Sequence, residues 1–494
     1  MQQSIKIRSV KYNFAMNIIL KMSSFVFPLI SLPYITRTLG AEGNGKVAFA
    51  SSVITYFSMF AQLGIPTYGI RACAKCRDNK DELTKTVQEL LVINFAAVGI
   101  SYTMLIIGMI TIPKLRQEPA LMLINSLTIF LNMIGMEWLY QAIEQYRYIT
   151  IRNIAFKIIS IIAMFLLVHS PDDYIIYGTL TVVSAGGSNV LNLWNCRKVL
   201  THKSYRGKYN FRQHLKPTFV FFALSVAVSI YTSMDSVMLG FISSEREVAY
   251  YALATKVKMV LATTVSALGP VLLPRMTYCL NNNQYYKFEE YIKKSLHFVL
   301  ILAIPIVIFF VIMAPETVDV LGGIDYKEAI PCMQTVTLAV IPLGIGNVAC
   351  QQILTPLGKE RLTMISTIYG ACLNFVVNAI LIPKNGAVGA AIATVLAESI
   401  VMIIQVHYSW KEMKAAFLKI PYGKLFLINS IATGCLLAFK MMNFEWHAFM
   451  KCVVGAILFF GVYGALLLIL MEPLVIQYGE PILRKLCAKV KNRE

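Results

Sequence analysis

Apolar stretches about twenty residues long follow one another along almost the whole chain, separated by short polar connections. That pattern decides the solvent. A run of this length is what one helical crossing of a bilayer core requires. Only 14% of the 494 residues are charged and 57% are hydrophobic, whereas soluble domains carry about 25% charged residues. No polar stretch is long enough to clothe a soluble domain of this size. A disordered chain, a collagen-like fibre and a small disulfide-stapled secreted fold are excluded. What remains is an all-α polytopic membrane protein.

Fourteen spans are predicted, near residues 13–36, 47–69, 87–111, 119–140, 149–169, 174–196, 217–241, 248–273, 295–314, 329–355, 362–383, 387–408, 422–440 and 447–470. The first follows Lys6, Arg8 and Lys11. It is long enough to span and lacks a clear small-x-small cleavage site, so it reads as a retained span rather than a signal peptide. The net charge of +19 invites a nucleic-acid reading. The distribution of the basic residues argues otherwise. With a cytoplasmic N-terminus, cytoplasmic segments hold 32 Lys and Arg, opposite loops 8, and the spans the remaining 5. Basic residues collect in the cytoplasmic loops of membrane proteins. Both termini are therefore expected inside, and no nucleic-acid partner is needed.

The chain also resembles itself. Leu39-Gly40 and Leu63-Gly64 correspond to Leu239-Gly240 and Leu268-Gly269, and Val47-Ala48-Phe49 to Val248-Ala249-Tyr250. Gly178-Thr-Leu-Thr-Val is similarly echoed around Gly389. The shared order predicts two parallel-repeat six-helix lobes, 1–205 and 210–410. Residues 411–494 add two helices and a basic cytoplasmic tail. Duplicated halves with a site between them suit a transporter that alternates access.

Charge inside a span costs roughly 2.5–3.5 kcal/mol at the helix centre, so such residues are candidates for function. Lys21 lies in span 1 and either faces a cavity or snorkels to the interface. Lys256 and Lys258 lie in span 8, about 200° apart around a helix, so only one can face the cavity directly. Asp235, near the end of span 7, is an ion-coupling candidate or the salt-bridge partner of Lys256. Glu398, in span 12, is a protonatable or cation-binding acid, or an acid hydrogen-bonded between helices. Glu137 lies near the inner end of span 4 and marks either a site or the interface. Arg71 points either into a cavity or to lipid phosphates. The intramembrane lysines suit an anionic headgroup such as a phosphate or diphosphate. Pro28 and Pro33 interrupt span 1 and are candidate hinges.

No enzyme constellation is present. There is no Walker motif, no Gly-x-Ser-x-Gly, and no metal spacing among the six histidines. Cys73-x-x-Cys76 is the only close cysteine pair and has no second pair to complete a zinc site. Neither a metal nor a cofactor is expected.

The stretch from Tyr34-Ile-Thr-Arg37 through Gly40-Ala-Glu-Gly43 to Leu63-Gly64-Ile-Pro-Thr-Tyr68-Gly69-Ile-Arg71 resembles the opening of polysaccharide repeat-unit flippases. These form the O-antigen and exopolysaccharide branch of the multidrug/oligosaccharidyl-lipid/polysaccharide exporter superfamily. Asn385-Gly386-Ala-Val-Gly389-Ala-Ala-Ile-Ala-Thr is similar to that branch as well.

The resemblance implies two lobes around a V-shaped cavity in the bacterial cytoplasmic (inner) membrane. Its implied substrate is an undecaprenyl-diphosphate-linked oligosaccharide, moved from the inner to the outer leaflet. Lys21, Arg71, Lys256 and Lys258 would then bind substrate in a cationic cavity. Membrane lipids, a polysaccharide polymerase and chain-length proteins are the implied partners. Multidrug members often carry an acidic cation site in the N-terminal lobe, whereas span 1 here carries Lys21 and no acid. A multidrug/cation antiporter, a peptidoglycan-precursor lipid flippase and a non-transporting scaffold of a polysaccharide-assembly complex stand as alternatives.

Overall fold

The computed structural model describes residues 10–201, 208–442 and 444–470. The expected basic tails, and part of the basic 197–216 connection, lie outside them. The described residues form helices and turns, with no strand among them. They divide into two compact units, Met1–Ala252 and Leu253–Glu494.

The first unit contains α1 (Val10–Gln62), α2 (Ile65–Cys76), α3 (Lys80–Thr111), α4 (Pro113–Arg116), α5 (Pro119–Gly135) and α6 (Glu137–Ala142). It continues with α7 (Tyr146–Leu167), α8 (Tyr174–Val182), α9 (Asn189–Val199) and α10 (Arg212–Ile242). A π-helical turn, Val183–Gly187, joins α8 to α9. Helix α11 (Glu245–Val265) carries the chain across the boundary.

The second unit continues with α12 (Leu268–Asn281), α13 (Tyr285–Ile312), α14 (Ala314–Gly322), α15 (Ala329–Thr337) and α16 (Val340–Asn347). It ends with α17 (Glu360–Tyr408), α18 (Trp410–Leu418), α19 (Tyr422–Met441) and α20 (Ala448–Ile469). Here α13 packs against α16, α18, α19 and α20. The Tyr463 hydroxyl donates to the Ile301 carbonyl at 2.8 Å, fixing α20 to α13.

The polarity of the helices is that of a lipid-solvated protein. Along α3, Glu89, Asn94 and Ser101 are buried, while Phe95, Ile100 and Ile110 are 64–68% exposed. The inward polar groups hold α3 to α1. Asn94 donates to the Ala61 carbonyl at 2.6 Å and Ser101 to the Phe57 carbonyl at 2.7 Å. In lipid the outer face gains nothing from being polar, so hydrogen bonds between helices add to close packing.

Ten stretches among the described residues are long and apolar enough to cross a membrane, against fourteen predicted. Merging accounts for part of the difference. Ile30–Cys76 and Glu360–Tyr408, at 47 and 49 residues, are each longer than a single crossing. Each long helix breaks at one glycine with positive φ, Gly40 in α1 (66°) and Gly386 in α17 (50°). Three residues on, Gly43 and Gly389 pack tightly. A Cβ would meet Leu39 Cβ at 3.3 Å in the first case and the Leu381 carbonyl oxygen at 2.6 Å in the second. The two turns share one device, a left-handed glycine followed by a close-packed one.

The repeated Leu-Gly pairs do not share conformation. Gly40 makes the turn, whereas Gly240 lies inside helical α10, where a Cβ would fall 2.0 Å from the Phe49 ring. The break in α1 is at Gly40; Pro28 and Pro33 lie inside helix.

Candidate functional site

Two cavities lie in the first unit, and α2 runs from one to the other. Leu63 and Gly64, with φ of 46° and 70°, turn the chain out of α1. A Cβ on Gly64 would meet the Phe222 nitrogen at 2.4 Å, so α10 approaches at a distance only glycine permits. The turn places Pro66 and Thr67 on the larger cavity and Tyr68, Arg71 and Lys75 on the smaller. Phe221 of α10 lines both.

The larger cavity has a volume of about 710 Å³. Its polar lining is neutral: hydroxyls such as Ser51, Thr55 and Ser225, and the amides of Gln62, Asn125 and Asn132. Several are fixed by one another. Ser51 donates to Asn125 Oδ1 at 3.1 Å, Gln62 Nε2 to Ser58 Oγ at 3.0 Å, and Asn189 Nδ2 to Asn132 Oδ1 at 3.3 Å. Amides and hydroxyls both donate and accept, which suits a ligand that does the same.

The smaller cavity, about 390 Å³, holds Arg71, Lys75 and His214, with Glu82 as its acid. His214 belongs to a buried relay. Its Nε2 lies 2.8 Å from Glu89 Oε2, and its Nδ1 lies 2.8 Å from the Tyr68 hydroxyl. Glu89 also accepts from the Asn210 amide at 2.6 Å and from Gln213 Nε2 at 3.1 Å. Glu89 is fully buried and His214 is 4% exposed.

Of the candidate binding, coupling and hinge residues, Arg71 alone lines either cavity. Lys21 is exposed on α1, and Lys256 and Lys258 are half-buried on α11. Asp235 is buried and accepts the Tyr251 hydroxyl. Glu398 is buried in α17. Glu137 is paired with Arg152, at 3.5 Å, and also accepts from Gln141. Pro28 is exposed and Pro33 half-buried.

Sequence reasoning missed Glu89, His214 and Lys157. Glu89 fell at the start of a predicted span and His214 in a predicted connection. Lys157 was a span lysine left unargued; its ammonium donates to Ser23 and Ser24 at 3.0 Å. An acid inside an apolar window was the signal that could have flagged Glu89.

The model of the polysaccharide biosynthesis protein family matches residues 10–279, more than half of the chain. The chain belongs to that family. A second model, MatE, matches residues 221–380, in keeping with the exporter superfamily to which the opening motif pointed. A relative named as an O-antigen transporter of Shigella dysenteriae is 23% identical over 398 residues, 80% of this chain and 98% of its own length. One of the same name from Escherichia coli is 23% identical over 406 residues, 81% and 96%. The fold is that of a solved lipid II flippase, MurJ, in an inward closed conformation. The TM-score is 0.74 at 16% identity, over 94% of this chain and all of that one.

Proposed function

We propose that this multi-pass membrane protein flips a lipid-linked oligosaccharide across the bilayer for surface polysaccharide assembly. The observation that carries the reading is the pairing of the two cavities along α2. The larger offers neutral donors and acceptors to sugar hydroxyls. The smaller offers Arg71 and Lys75 to the diphosphate that joins sugar to lipid, and guanidinium and ammonium groups bind phosphate oxygens well. The family and its O-antigen transporter relatives support the same reading.

The family resemblance supports the finer reading of lipid and membrane, and the count of basic residues supports that of orientation. The lipid is undecaprenyl diphosphate, the membrane is the bacterial cytoplasmic membrane, and both termini face the cytoplasm. Lobes 1–205 and 210–410 alternate access, with 411–494 appended. Lys21, Lys256 and Lys258 assist the anion along its path, and Asp235 and Glu398 serve coupling or structure. A drug/cation antiporter fits less well, because no acid is among the described residues that line the larger cavity.

The test is transport in reconstituted vesicles. A fluorescent lipid-linked oligosaccharide is placed in one leaflet, and its arrival in the other is followed. Wild type is expected to move it, and Arg71→Ala/Lys75→Ala to slow it at least tenfold at equal reconstitution. Equal rates for the variant would overturn the assignment of the basic pocket. Failure of wild type to move any lipid-linked glycan while exchanging a cationic drug would overturn the function.

A further inference from the structure

Tyr68, Glu89 and His214 come from α2, α3 and α10 and meet at the wall of the basic pocket. A carboxylate oxygen only accepts, so His214 Nε2 carries the hydrogen that faces Glu89. In the neutral ring, Nδ1 then accepts the Tyr68 hydroxyl. The three side chains form a directed chain from the pocket wall to a buried acid.

We propose that this relay is a proton-binding site linked to the basic pocket, so that a diphosphate headgroup and a proton bind together. The proposal rests on the headgroup reading above. One proton from water forms a bond to Nδ1, and the ring becomes a cation with two donors. Tyr68 cannot donate to a protonated Nδ1. Its oxygen accepts instead, and its hydrogen turns away, free for an anion in the pocket that Tyr68 lines.

The charged surroundings supply the coupling. From α2, Tyr68, Arg71, Cys73, Lys75 and Cys76 lie at or beside the cluster, and from α3, Glu82 and Glu89. Ahead of α10, the Tyr209 hydroxyl is spent on Gln88 at 2.8 Å. Helix α1 brings the Phe60 ring against Phe222. Arg71 and Lys75 oppose a third positive charge on the imidazole. An anion between them removes that opposition, so it favours the proton, and by reciprocity the proton favours the anion. An imidazole is the side chain whose charge ordinarily changes between about pH 5 and 8.

The test uses the full-length protein in nanodiscs with farnesyl diphosphate as probe. Binding is measured by calorimetry at pH 6 and pH 8, in buffers of different ionisation enthalpy. The probe titrates too, so each value is referred to His214→Gln. Wild-type affinity is expected to fall about fivefold more than that of His214→Gln over this interval, within the limit for one linked proton. Wild type should also take up more protons per probe bound. Matching pH dependence in the two proteins would overturn the proposal. Should His214→Gln not fold, Tyr68→Phe is the alternative; it should weaken binding more at pH 6 than at pH 8, and equal loss at both would overturn the proposal.

Histidine NMR separates this from the headgroup reading. The His214 resonance, in wild type and in Arg71→Ala/Lys75→Ala, should differ between the two pH values of the binding test even if no probe binds. A resonance that is the same at both overturns the proton site. Loss of binding with His214 still titrating overturns only the headgroup reading.

Discussion

Glu89 Oε2 and His214 Nε2 lie 2.8 Å apart although 125 residues separate them in sequence. The contact ties α10 to α3 through groups that are almost fully buried. Removing Glu89 leaves buried donors unsatisfied, at a cost of about 1–3 kcal/mol each. Glu89→Ala should therefore lower thermal stability more than Arg77→Ala, whose pairing with Glu144 is about one-third exposed. Unfolding in detergent measures both, and equal small shifts would contradict the burial argument.

The left-handed turns make opposite predictions for similar substitutions. Gly40→Ala and Gly386→Ala place a Cβ where φ is 66° and 50°, and each should destabilise by roughly 1–2 kcal/mol. Gly434→Ala, in open space on α19, should be neutral or stabilising by up to about 1 kcal/mol. Thermal unfolding of the three variants decides, and a common sign would refute the turn geometry.

Helix α1 meets the junction of α10 and α11 without room for a methyl group. A Cβ on Gly45 would lie 1.9 Å from the Glu245 carbonyl oxygen, and one on Gly240 would lie 2.0 Å from the Phe49 ring. Gly240→Ala should destabilise by about 1–3 kcal/mol through overpacking. Phe49→Ala in the same chain should recover part of that loss. A double-mutant cycle with no coupling would show that the two do not touch in the membrane.

The neutral cavity should be separable from the basic pocket. Asn132→Leu removes a donor and acceptor from the larger lining and leaves Arg71 and Lys75 in place. On the proposed function it should reduce transport of the glycan-bearing lipid by about tenfold or more, since a buried sugar hydroxyl loses its partner. Farnesyl diphosphate binding should be unchanged. A parallel loss of both would merge the two cavities into one site.

One turn outside the membrane helices carries a pH signature. Asp173 accepts the backbone amides of His169 and Ser170 at 2.9 and 2.8 Å, and these bonds hold its carboxyl below the ordinary value. A depressed carboxyl stabilises above its unfolded pKa and loses that contribution as pH falls through the folded one. Amide exchange at His169 and Ser170 should therefore accelerate as pH drops below about 4, relative to the intrinsic rate. Constant protection would remove the turn's dependence on Asp173.

The helical class and its lipid-facing character were legible because hydropathy reports burial in lipid directly. Leu63-Gly64 and Asn385-Gly386 were visible as punctuation, since only a few residues tolerate left-handed backbone. The site was less legible. Neutral groups such as Asn125 and Asn132 look like ordinary helix residues until packing turns them toward one cavity. Glu89 and His214 became partners only once α3 and α10 met, and neither carries a local signal of that meeting. Charges in spans drew attention to Lys256 and Asp235, and the same rule, applied to the start of span 3, reaches Glu89.

The turns at Gly40 and Gly386 have a consequence for anyone mapping the chain with proteases or inserted tags. Each replaces a loop with a single backbone break inside continuous helix. Arg37, Lys46 and Lys384 flank these breaks on helical backbone, so trypsin finds no extended segment to thread through its cleft. Silence at those sites reports stiffness rather than sidedness. A reporter inserted there interrupts a helix instead of decorating a loop.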